Sequence, residues 1–510
     1  MGKFYVTTPI YYVNDAPHVG HAYTTLAADV LARYWKLQGE KVFFLTGTDE
    51  HGLKIQREAR KQGISAQELV DRNAEHFKRL WEKMNIQYDD FIRTTEERHI
   101  KAVSAFLEKL QTAEDVYLDA YEDWYCVPCE TYWTETQLEG SGNCPACRRP
   151  VELLKEQSYF FRMSKYRDQL LRHLDQHPDF IQPEVRWNEI KSFAGGELRD
   201  LSISRTTFDW GVPIPGAKGH ITYVWVDALV NYISALGWPE DKEGKFAAFW
   251  PASVHLIGKD ILRHHAVYWP CLLISAGVAL PKTIFAHGWW TNEGQKMSKS
   301  LGNFIDPNTM IKDFGLDAFR YFLMREVAFG QDGDFSLEAF KQRINSDLAN
   351  DLGNLLSRVC GMISRYLDGK FTGSAESAEI DFALLDNLKS ADQEVDLCFK
   401  NYSFHKALIA IWEFVNQVNK YIDTTAPWSL AKDPGKKARL TNVLQCSAAS
   451  LQAIALMLFP FMPQSAEKIW IQVGLELPLT AINWSEEKTF SRYCPAQTIK
   501  KVEPLFPRIV

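Results

Sequence analysis

The fold is decided near the start of the chain by residues 3–46, which read KFYVTTPIYYVNDAPHVGHAYTTLAADVLARYWKLQGEKVFFLT. Residues 3–6, a lysine followed by three apolar residues, predict a short strand, and the turn-rich segment after them leads into a helix over residues 21–37. Residues 41–46 predict a second strand that ends at Gly47, and a charged helical pattern begins near Thr48. Strand, helix, strand and helix at this spacing predict an α/β fold with a parallel sheet of the nucleotide-binding type.

Further along the chain, strand-like runs at residues 255–257 and 283–287, with a helical stretch between them, predict that this sheet resumes after an interruption. From Ser336 onward the apolar spacing is helical and predicts an all-α bundle. The predicted domains are the first half of the α/β domain (1–115), an inserted domain rich in Cys, Trp, Tyr, Gly and Pro (116–219), the second half (220–288), a loop and linker domain (289–345) and a helical domain (346–510).

Composition narrows the class of protein. The 510 residues are 46% hydrophobic and 24% charged, which is typical of a folded protein with several cores. No stretch approaches the ~18 apolar residues of a membrane span, and the first residues lack a signal core, so we expect no membrane and a cytoplasmic location. Nine cysteines, an odd number, suit a reducing compartment. The net charge of −7 predicts that any RNA contact is local.

His18, Gly20 and His21 belong to the tetrapeptide His-Val-Gly-His, where the first strand gives way to a helix. A helix N-terminus presents unpaired N–H groups and partial positive charge, so it binds phosphates readily. Two imidazoles can add hydrogen bonds, and Gly20 lets a nucleotide approach the backbone closely. Alone, however, two histidines near a helix start are more often ordinary polar surface.

A second candidate phosphate site is the run Lys296-Met297-Ser298-Lys299-Ser300. Two ammonium groups and two hydroxyls on a Gly-flanked loop can stabilise a triphosphate as its charge redistributes during displacement. The alternative is a solvated charged loop, but this pentapeptide rarely arises by chance in a chain of this length.

Four cysteines, Cys126, Cys129, Cys144 and Cys147, form two Cys-x-x-Cys pairs with fourteen residues between them. Such pairs can arrange four thiolates tetrahedrally around Zn²⁺ at about 2.3 Å, as a closed structural site. Redox-active pairs are the alternative. The polar and aromatic surroundings, DWYCVPCETYW, would form little core unaided, which favours one structural zinc ion per chain.

Together, HVGH near the N-terminus and KMSKS near residue 300 resemble the paired signatures of class I aminoacyl-tRNA synthetases, whose catalytic domain has a Rossmann-type fold. The resemblance implies that both motifs bind ATP, with Mg²⁺ on its phosphates, and stabilise the transition state of adenylate formation. It makes His18, His21, Lys296 and Lys299 the catalytic candidates. It extends ATP binding to Gly20, Met297, Ser298 and Ser300.

Four other segments resemble the amino-acid pocket of the methionine-specific members of this family: PIYYVN (9–14), GTDEHG (47–52), YVWVDALVNY (223–232) and IGKDILRHH (257–265). The resemblance covers nearly the whole chain and implies activation of L-methionine as an adenylate and its transfer to the 3′ terminal adenosine of tRNA. It assigns the substrate ammonium to Asp49. It assigns the side-chain pocket to Ile10, Tyr12, Trp225, Ala228, Leu229, Tyr232, Ile261 and His265. Without the two motifs, YVWVDALVNY would be interpreted as ordinary core aromatics.

Asn350, Asn354 and Arg358 lie four residues apart and share one face of a predicted helix, where they can hydrogen-bond base edges of an unstacked RNA loop. Trp428, which follows an apolar helix, can stack on a base, although sequence alone favours a core or cap role. These positions resemble the family's readers of a CAU anticodon, which implies tRNA(Met) as a partner.

Other functions stay open on the same residues. A zinc-knuckle RNA-binding protein without catalysis would need neither phosphate motif, and a nucleotidylyltransferase acting on a small metabolite would not need the helical tail. Cysteinyl or leucyl specificity is a further alternative, although the insertion is short for an editing domain. The chain ends at Val510, soon after its helices. We therefore expect a monomer, because dimeric members of the family often carry an added C-terminal RNA-binding domain.

Overall fold

The computed structural model divides the chain into two compact units. The sheet unit comprises Lys3–Ala28 and Val42–His287, and the helical unit comprises Met1–Gly2, Asp29–Lys41 and Gly288–Val510. The first helix therefore contributes residues to both units. The structure describes residues 2–13, 16–129, 131–133, 135, 138, 140, 142–145, 147–292, 294–297, 304–371, 375–484, 499 and 503–509.

The strands of the described residues are β1 (Lys3–Thr7), β2 (Tyr11–Tyr12), β3 (Lys41–Asp49), β4 (Asp90–Arg93), β5 (Val116–Cys126), β6 (Thr131–Trp133), β7 (Glu152–Phe161), β8 (Ile181–Gln182), β9 (Leu201–Ser202), β10 (Ser204–Arg205), β11 (Ile221–Thr222), β12 (Val254–Gly258), β13 (Ile284–His287), β14 (Trp290–Asn292), β15 (Gln295–Lys296) and β16 (Gly333–Phe335).

The α-helices are α1 (Val19–Leu37), α2 (Leu53–Gln62), α3 (Ala66–Lys83), α4 (Glu97–Thr112), α5 (Arg167–Gln176), α6 (Glu184–Gly195), α7 (Val224–Leu229), α8 (Asn231–Ser234), α9 (Lys245–Phe249), α10 (Trp269–Ala276), α11 (Pro307–Phe314), α12 (Leu316–Arg325), α13 (Leu337–Arg343), α14 (Asn354–Leu367), α15 (Glu379–Lys400), α16 (Phe404–Thr425), α17 (Pro427–Leu430), α18 (Lys437–Leu458) and α19 (Pro463–Gln472). Two π-helical segments, His264–Tyr268 and Ile344–Gly353, and 3₁₀ turns at Met163–Tyr166, Lys259–Ile261, Pro434–Lys436 and Leu479–Ala481 complete the helical structure of the described residues.

The centre of the sheet unit is a seven-stranded sheet in the order β2-β3-β1-β12-β13-β8, with β4 paired to β3. The pairs β1–β12, β12–β13, β13–β8, β2–β3 and β3–β4 are all parallel. Buried parallel strands read as nearly continuous apolar runs, as in VFFL of β3 and in VHLI of β12, where the buried His255 is the exception. Because the carboxyl ends of parallel strands meet at one edge, segments after β1, β3, β12 and β13 lie on the same side. The predicted Rossmann-type fold class is confirmed.

Strand β3 differs from its sequence-based prediction. It runs through Gly47 to Asp49, and α2 begins only at Leu53, whereas the sequence predicted a strand end at Gly47 and a helix near Thr48. A Cβ at Gly47 would lie 2.0 Å from the carbonyl oxygen of Ile92 in β4. This glycine therefore permits close approach of β4 to β3 and is not a turn residue.

The cysteine-containing insertion folds as an antiparallel sheet in the order β6-β5-β7-β9. Strands β5 and β7 pair along most of their length, from Val116 opposite Phe161 to Tyr125 opposite Glu152. The long hairpin carries the cysteines at its far end. A cysteine-containing insertion in the α/β unit was predicted, and it is confirmed.

The helical unit contains α11–α19 and a small sheet of β14, β15 and β16. Among the described residues, the segment Pro434–Leu458 is long and apolar enough to cross a membrane, but 89% of its most apolar window is buried inside the protein. Helix α18 packs against α14, α15, α16 and α19, which explains that composition. The predicted all-α C-terminal bundle is confirmed.

Candidate active site, zinc knuckle and helical tRNA face

The HVGH motif forms the start of α1 in the sheet unit. The His18 and His21 rings stack with centroids 3.8 Å apart, and each Nδ1 accepts a backbone N–H, from Gly20 at 3.0 Å and from His18 at 3.1 Å, respectively. An imidazole whose Nδ1 accepts carries its hydrogen on Nε2. Both rings can therefore donate a hydrogen bond from Nε2 to an anion at the helix N-terminus.

Gly20 and His21 are fixed by their surroundings. A Cβ at Gly20 would lie 2.8 Å from Cε1 of His18, so any other residue at this position would require the folded-back His18 ring to move. His21 packs against the rings of Tyr11 and Phe77, with centroids at 4.8 and 5.3 Å. Burial, together with the neighbouring His18, lowers the pKa of His21 well below its usual value. The ring is therefore neutral at physiological pH, as its hydrogen-bond pattern requires.

Asp49 is connected to this motif through strand β2. It is the last residue of β3, it is buried, and it pairs in register with Tyr12 of β2. The preceding residue, Tyr11, contacts His21. Tyr11 therefore contacts the HVGH motif while its neighbour Tyr12 pairs with Asp49, the predicted ammonium ligand. Both contacts lie at the carboxyl edge of the sheet.

Six of the residues predicted for the side-chain pocket lie on two short helices and on the segment after β12. Helix α7 carries Trp225, Ala228 and Leu229, and α8 carries Tyr232. The Nδ1–H of His265 donates to the carbonyl of Ile261 at 2.9 Å, so its Nε2 accepts from the Tyr232 hydroxyl at 2.7 Å.

The other members of the predicted pocket set also lie in the sheet unit. Ile10, Tyr12, Trp225 and Ile261 are half-buried against its apolar core. Burial lowers the pKa of His265 to about 4. The set is thus aromatic, aliphatic and uncharged apart from Asp49, which suits a thioether side chain.

His264 packs on a predicted pocket residue, and the sequence prediction did not include it. Its ring stacks on Trp225 with centroids 3.9 Å apart and planes 23° apart, and burial lowers its pKa to about 3. Among the described residues, neither Trp225 Nε1 nor His264 Nδ1 has a hydrogen-bond partner. A buried polar atom without a partner costs ~1–3 kcal/mol, so this surface is suited to a ligand. The pair of adjacent histidines at the end of IGKDILRHH was the sequence feature that could have pointed to His264.

The KMSKS run is only partly described. Lys296 is the last residue of β15, paired with Thr291 of β14, and Met297 follows it. Ser298, Lys299 and Ser300 lie outside the described residues. The predicted phosphate contacts of this run therefore remain predictions.

The four predicted metal ligands converge. Their sulfur atoms all lie within 4.8 Å of one another, with Cys126 and Cys147 3.5 Å apart and Cys129 and Cys144 3.9 Å apart. Four thiolates at zinc-bond length in a tetrahedron stand about 3.8 Å apart. The remaining core of this knuckle is small, with Leu138 and Val151 as its other buried members.

The pKa values of the buried cysteine thiols favour a bound cation among the four sulfur atoms. Burial and the neighbouring thiols raise the pKa of Cys126 to about 12 and raise that of Cys129 further. Without a cation the thiols of Cys126 and Cys129 resist ionisation, although hydrogen bonds lower the pKa of Cys147, and a divalent metal stabilises thiolates. The donor set therefore fits a closed structural zinc site better than a redox pair.

The predicted RNA-reading residues lie in the helical unit. Asn350 is in the π-helical segment Ile344–Gly353, Asn354 begins α14, and Arg358 follows one turn later. The side chain of Asn350 accepts from Arg508 at 2.6 Å, and Arg358 pairs with Asp423 at 2.5 Å. Trp428, in α17, is 40% exposed, which excludes the core interpretation.

Comparison with known proteins identifies the family. The family model described as "tRNA synthetases class I (M)" matches residues 4–152 and 148–360, and "Anticodon-binding domain of tRNA ligase" matches residues 381–504. A methionine–tRNA ligase of Fusobacterium nucleatum is 50% identical over 509 residues, which cover 99% of this chain and 80% of that protein. One of Caldanaerobacter subterraneus is 51% identical over 506 residues, or 99% of this chain and 79% of that protein.

A solved structure agrees over the full length. Mycobacterium tuberculosis methionyl-tRNA synthetase in complex with methionyl-adenylate superposes with a TM-score of 0.94 at 44% identity, covering 100% of both chains. Sequence and fold thus agree with the predicted resemblance from the first strand to the helical bundle. The chain belongs to the methionyl-tRNA synthetase family of class I tRNA synthetases.

Proposed function

We propose that the chain performs methionine–tRNA ligation at the carboxyl edge of its parallel sheet, beside the N-terminus of α1. The main support is that Tyr11 contacts the His21 ring of HVGH while the adjacent Tyr12 pairs with the buried Asp49. One site then offers donors for a phosphate and an anion for an ammonium. The M. tuberculosis relative was solved with methionyl-adenylate, which supports the same intermediate here.

In the first step, the carboxylate of L-methionine attacks the α-phosphorus of ATP in line, a new P–O bond forms, and pyrophosphate leaves. Asp49 binds the ammonium, and the pocket of Ile10, Tyr12, Trp225, Ala228, Leu229, Tyr232, Ile261 and His265 encloses the thioether. His18 and His21 donate from Nε2 to phosphate oxygens, and Gly20 leaves room for the nucleotide. Little acid–base chemistry is needed because the phosphoanhydride supplies the driving force.

The KMSKS residues complete this step in our proposal. Lys296 and Lys299 stabilise the departing pyrophosphate, and Met297, Ser298 and Ser300 shape the loop around the phosphates. Mg²⁺ would neutralise phosphate charge in the same region. In the second step, the 2′-hydroxyl of the terminal adenosine attacks the activated carbonyl and AMP leaves.

We assign the zinc ion and the anticodon to two further groups of residues. Cys126, Cys129, Cys144 and Cys147 would hold one structural Zn²⁺, which would supply folding free energy to the knuckle. Asn350, Asn354, Arg358 and Trp428 would read a CAU anticodon of tRNA(Met) by hydrogen bonds and stacking. We also propose a monomeric cytoplasmic enzyme with the domain ranges 1–115, 116–219, 220–288, 289–345 and 346–510.

Amino-acid-dependent ATP–pyrophosphate exchange tests the activity. We expect exchange with methionine and much slower exchange with the other nineteen amino acids, in zinc-loaded protein. The absence of methionine-dependent exchange in folded protein would contradict the proposal. Lys299→Ala should lower the exchange rate constant much more than methionine affinity, because its role is in the transition state. An equal loss in both would contradict that role.

A further inference from the structure

A buried carboxylate outside the predicted site links two of its parts. Asp227 lies on α7 between the pocket residues Trp225 and Ala228, and its side chain is fully buried. One carboxylate oxygen contacts Nδ1 of His51 at 2.6 Å, and the other contacts Nε2 of His99 at 2.9 Å. Each oxygen of the Asp227 carboxylate is thus hydrogen-bonded to an imidazole from a different part of the chain.

The carboxylate is ionised and both imidazoles donate to it. Burial alone would favour the neutral acid, but the charge and hydrogen bonds of His51 and His99 outweigh it and lower the pKa of Asp227 to about 2. An ionised carboxylate only accepts hydrogen bonds. His51 therefore donates from Nδ1 and His99 from Nε2.

His51 belongs to the segment that presents Asp49. It follows Asp49 by two residues, and the intervening Glu50 is fully buried. The Glu50 carboxylate accepts from the Thr48 hydroxyl at 2.7 Å and from Arg93 at 2.6 Å. The end of β3 is thus fixed to β4, and His51 extends from that fixed segment toward α7.

His99 anchors the opposite side of Asp227. It is a fully buried residue of α4, and its Nδ1 lies 2.9 Å from the hydroxyl of Ser234 in α8. The chain of contacts therefore runs from the end of β3 through Asp227 of α7 to α4 and α8. All of these elements belong to the sheet unit.

We infer that Asp227 is a positioning residue that fixes the spacing between Asp49 and the α7 wall of the methionine pocket. The inference rests on the proposed function, because it takes Asp49 as the ammonium ligand and Trp225, Ala228 and Leu229 as the wall. Apolar side chains could fill the same volume at no greater cost in stability. Two short charge-assisted hydrogen bonds, however, fix distance and direction, which apolar contacts do not.

The inference has a kinetic consequence. Methionine is held at one end by its ammonium and at the other by its thioether, so a change in this spacing affects both contacts together. ATP is bound by other groups in our proposal, at the N-terminus of α1. Loss of the Asp227 link should therefore raise the KM for methionine much more than the KM for ATP.

Asp227→Asn is the direct test, with Asp115→Asn as a matched control. Asp115 is also a fully buried carboxylate of the sheet unit, and it accepts from Tyr166, from Lys165 at 2.6 Å and from Ser275 at 2.6 Å, none of which is a predicted site residue. In pyrophosphate exchange we expect Asp227→Asn to raise the methionine KM about 10- to 100-fold and to leave the ATP KM nearly unchanged. Asp115→Asn should lower the melting temperature but change neither KM.

His99→Gln is the second variant, since it weakens the link from the side remote from the ligand. It should raise the methionine KM in the same direction by a smaller factor. A methionine KM within twofold of the unsubstituted value in both folded variants would overturn the inference, as would parallel rises for methionine and ATP. No methionine-dependent exchange in the unsubstituted protein would instead overturn the proposed function, and this inference with it.

Discussion

Burial keeps His264 and His265 neutral in the candidate pocket. Their pKa values of about 3 and about 4 lie far below the usual value, because burial disfavours the imidazolium. A neutral pair is suited to an uncharged thioether, whereas a charged pair would have to be desolvated again when methionine binds. Because the folded state keeps these two histidines neutral, its stability depends on pH.

We predict that stability falls as the pH decreases from 6.5 toward 4. In the unfolded chain each histidine binds a proton near pH 6.5, while in the folded chain His264 and His265 stay neutral until about 3 and about 4. The unfolded state therefore binds more protons in this range, and each histidine contributes up to about 1.4 kcal/mol per pH unit. Urea unfolding followed by tryptophan fluorescence at pH 7.5, 6.5 and 5.5 measures the slope.

His264→Phe supplies the control, because phenylalanine keeps the stack on Trp225 and cannot be protonated. The variant should show a shallower loss of stability between pH 6.5 and 5.5 than the unsubstituted chain. Identical slopes would mean that His264 is protonated in the folded state, contrary to its burial.

At the scale of single elements, the β5–β7 hairpin should depend on the zinc ion that we propose at its tip. The small apolar core there offers little burial, so zinc should supply most of the local folding free energy, on the order of 10 kcal/mol as in zinc-finger peptides. We predict one zinc per chain by elemental analysis. Cys129→Ser should lower both zinc content and melting temperature, while Cys446→Ser, on α18, should leave the zinc content unchanged. Full zinc content in Cys129→Ser would exclude the four-sulfur site.

The four-residue helix α17 presents the exposed ring of Trp428. Base stacking contributes ~1–3 kcal/mol, so Trp428→Ala should lower the kcat/KM of aminoacylation for tRNA about 5- to 150-fold. Pyrophosphate exchange, which needs no tRNA, should stay near normal. Phe382→Ala removes a more exposed aromatic ring of the same unit and should change neither rate. A matching fall in exchange for Trp428→Ala would refute a role limited to tRNA.

Sequence patterns predicted some of these elements correctly and missed features that depend on distant residues. The strand, phosphate motif and helix at the N-terminus were local signals, and the cysteine spacing was specific enough to predict the knuckle. Gly47 misled the prediction, because a glycine that permits close strand contact looks the same as one that ends a strand. Asp227 carried no signal at all, since its two partners are 128 and 176 residues away along the chain.

At the scale of the whole molecule, α1 is a helix whose residues are divided between the two units. Its first residues carry HVGH in the sheet unit, while Asp29–Lys41 belongs to the helical unit. Within the helical unit, the buried Asp29 pairs with Arg33 at 2.8 Å and with Arg320 of α12 at 2.7 Å. This long-range pair could not be predicted from a local pattern, because 291 residues separate Asp29 from Arg320.

Arg320→Met should therefore destabilise the helical unit strongly. The guanidinium is fully buried, and besides Asp29 it donates to the carbonyls of Pro460 and Phe461 at 3.0 and 2.8 Å. Methionine fills similar volume but removes the donor from both carbonyls and leaves Asp29 with Arg33 as its remaining cationic partner, and breaking a buried pair costs about 3–5 kcal/mol. Urea unfolding measures the loss. Lys389→Met removes an exposed pair with Asp386 and should cost less than about 1 kcal/mol, so equal losses would show that the buried network contributes no more than surface charge.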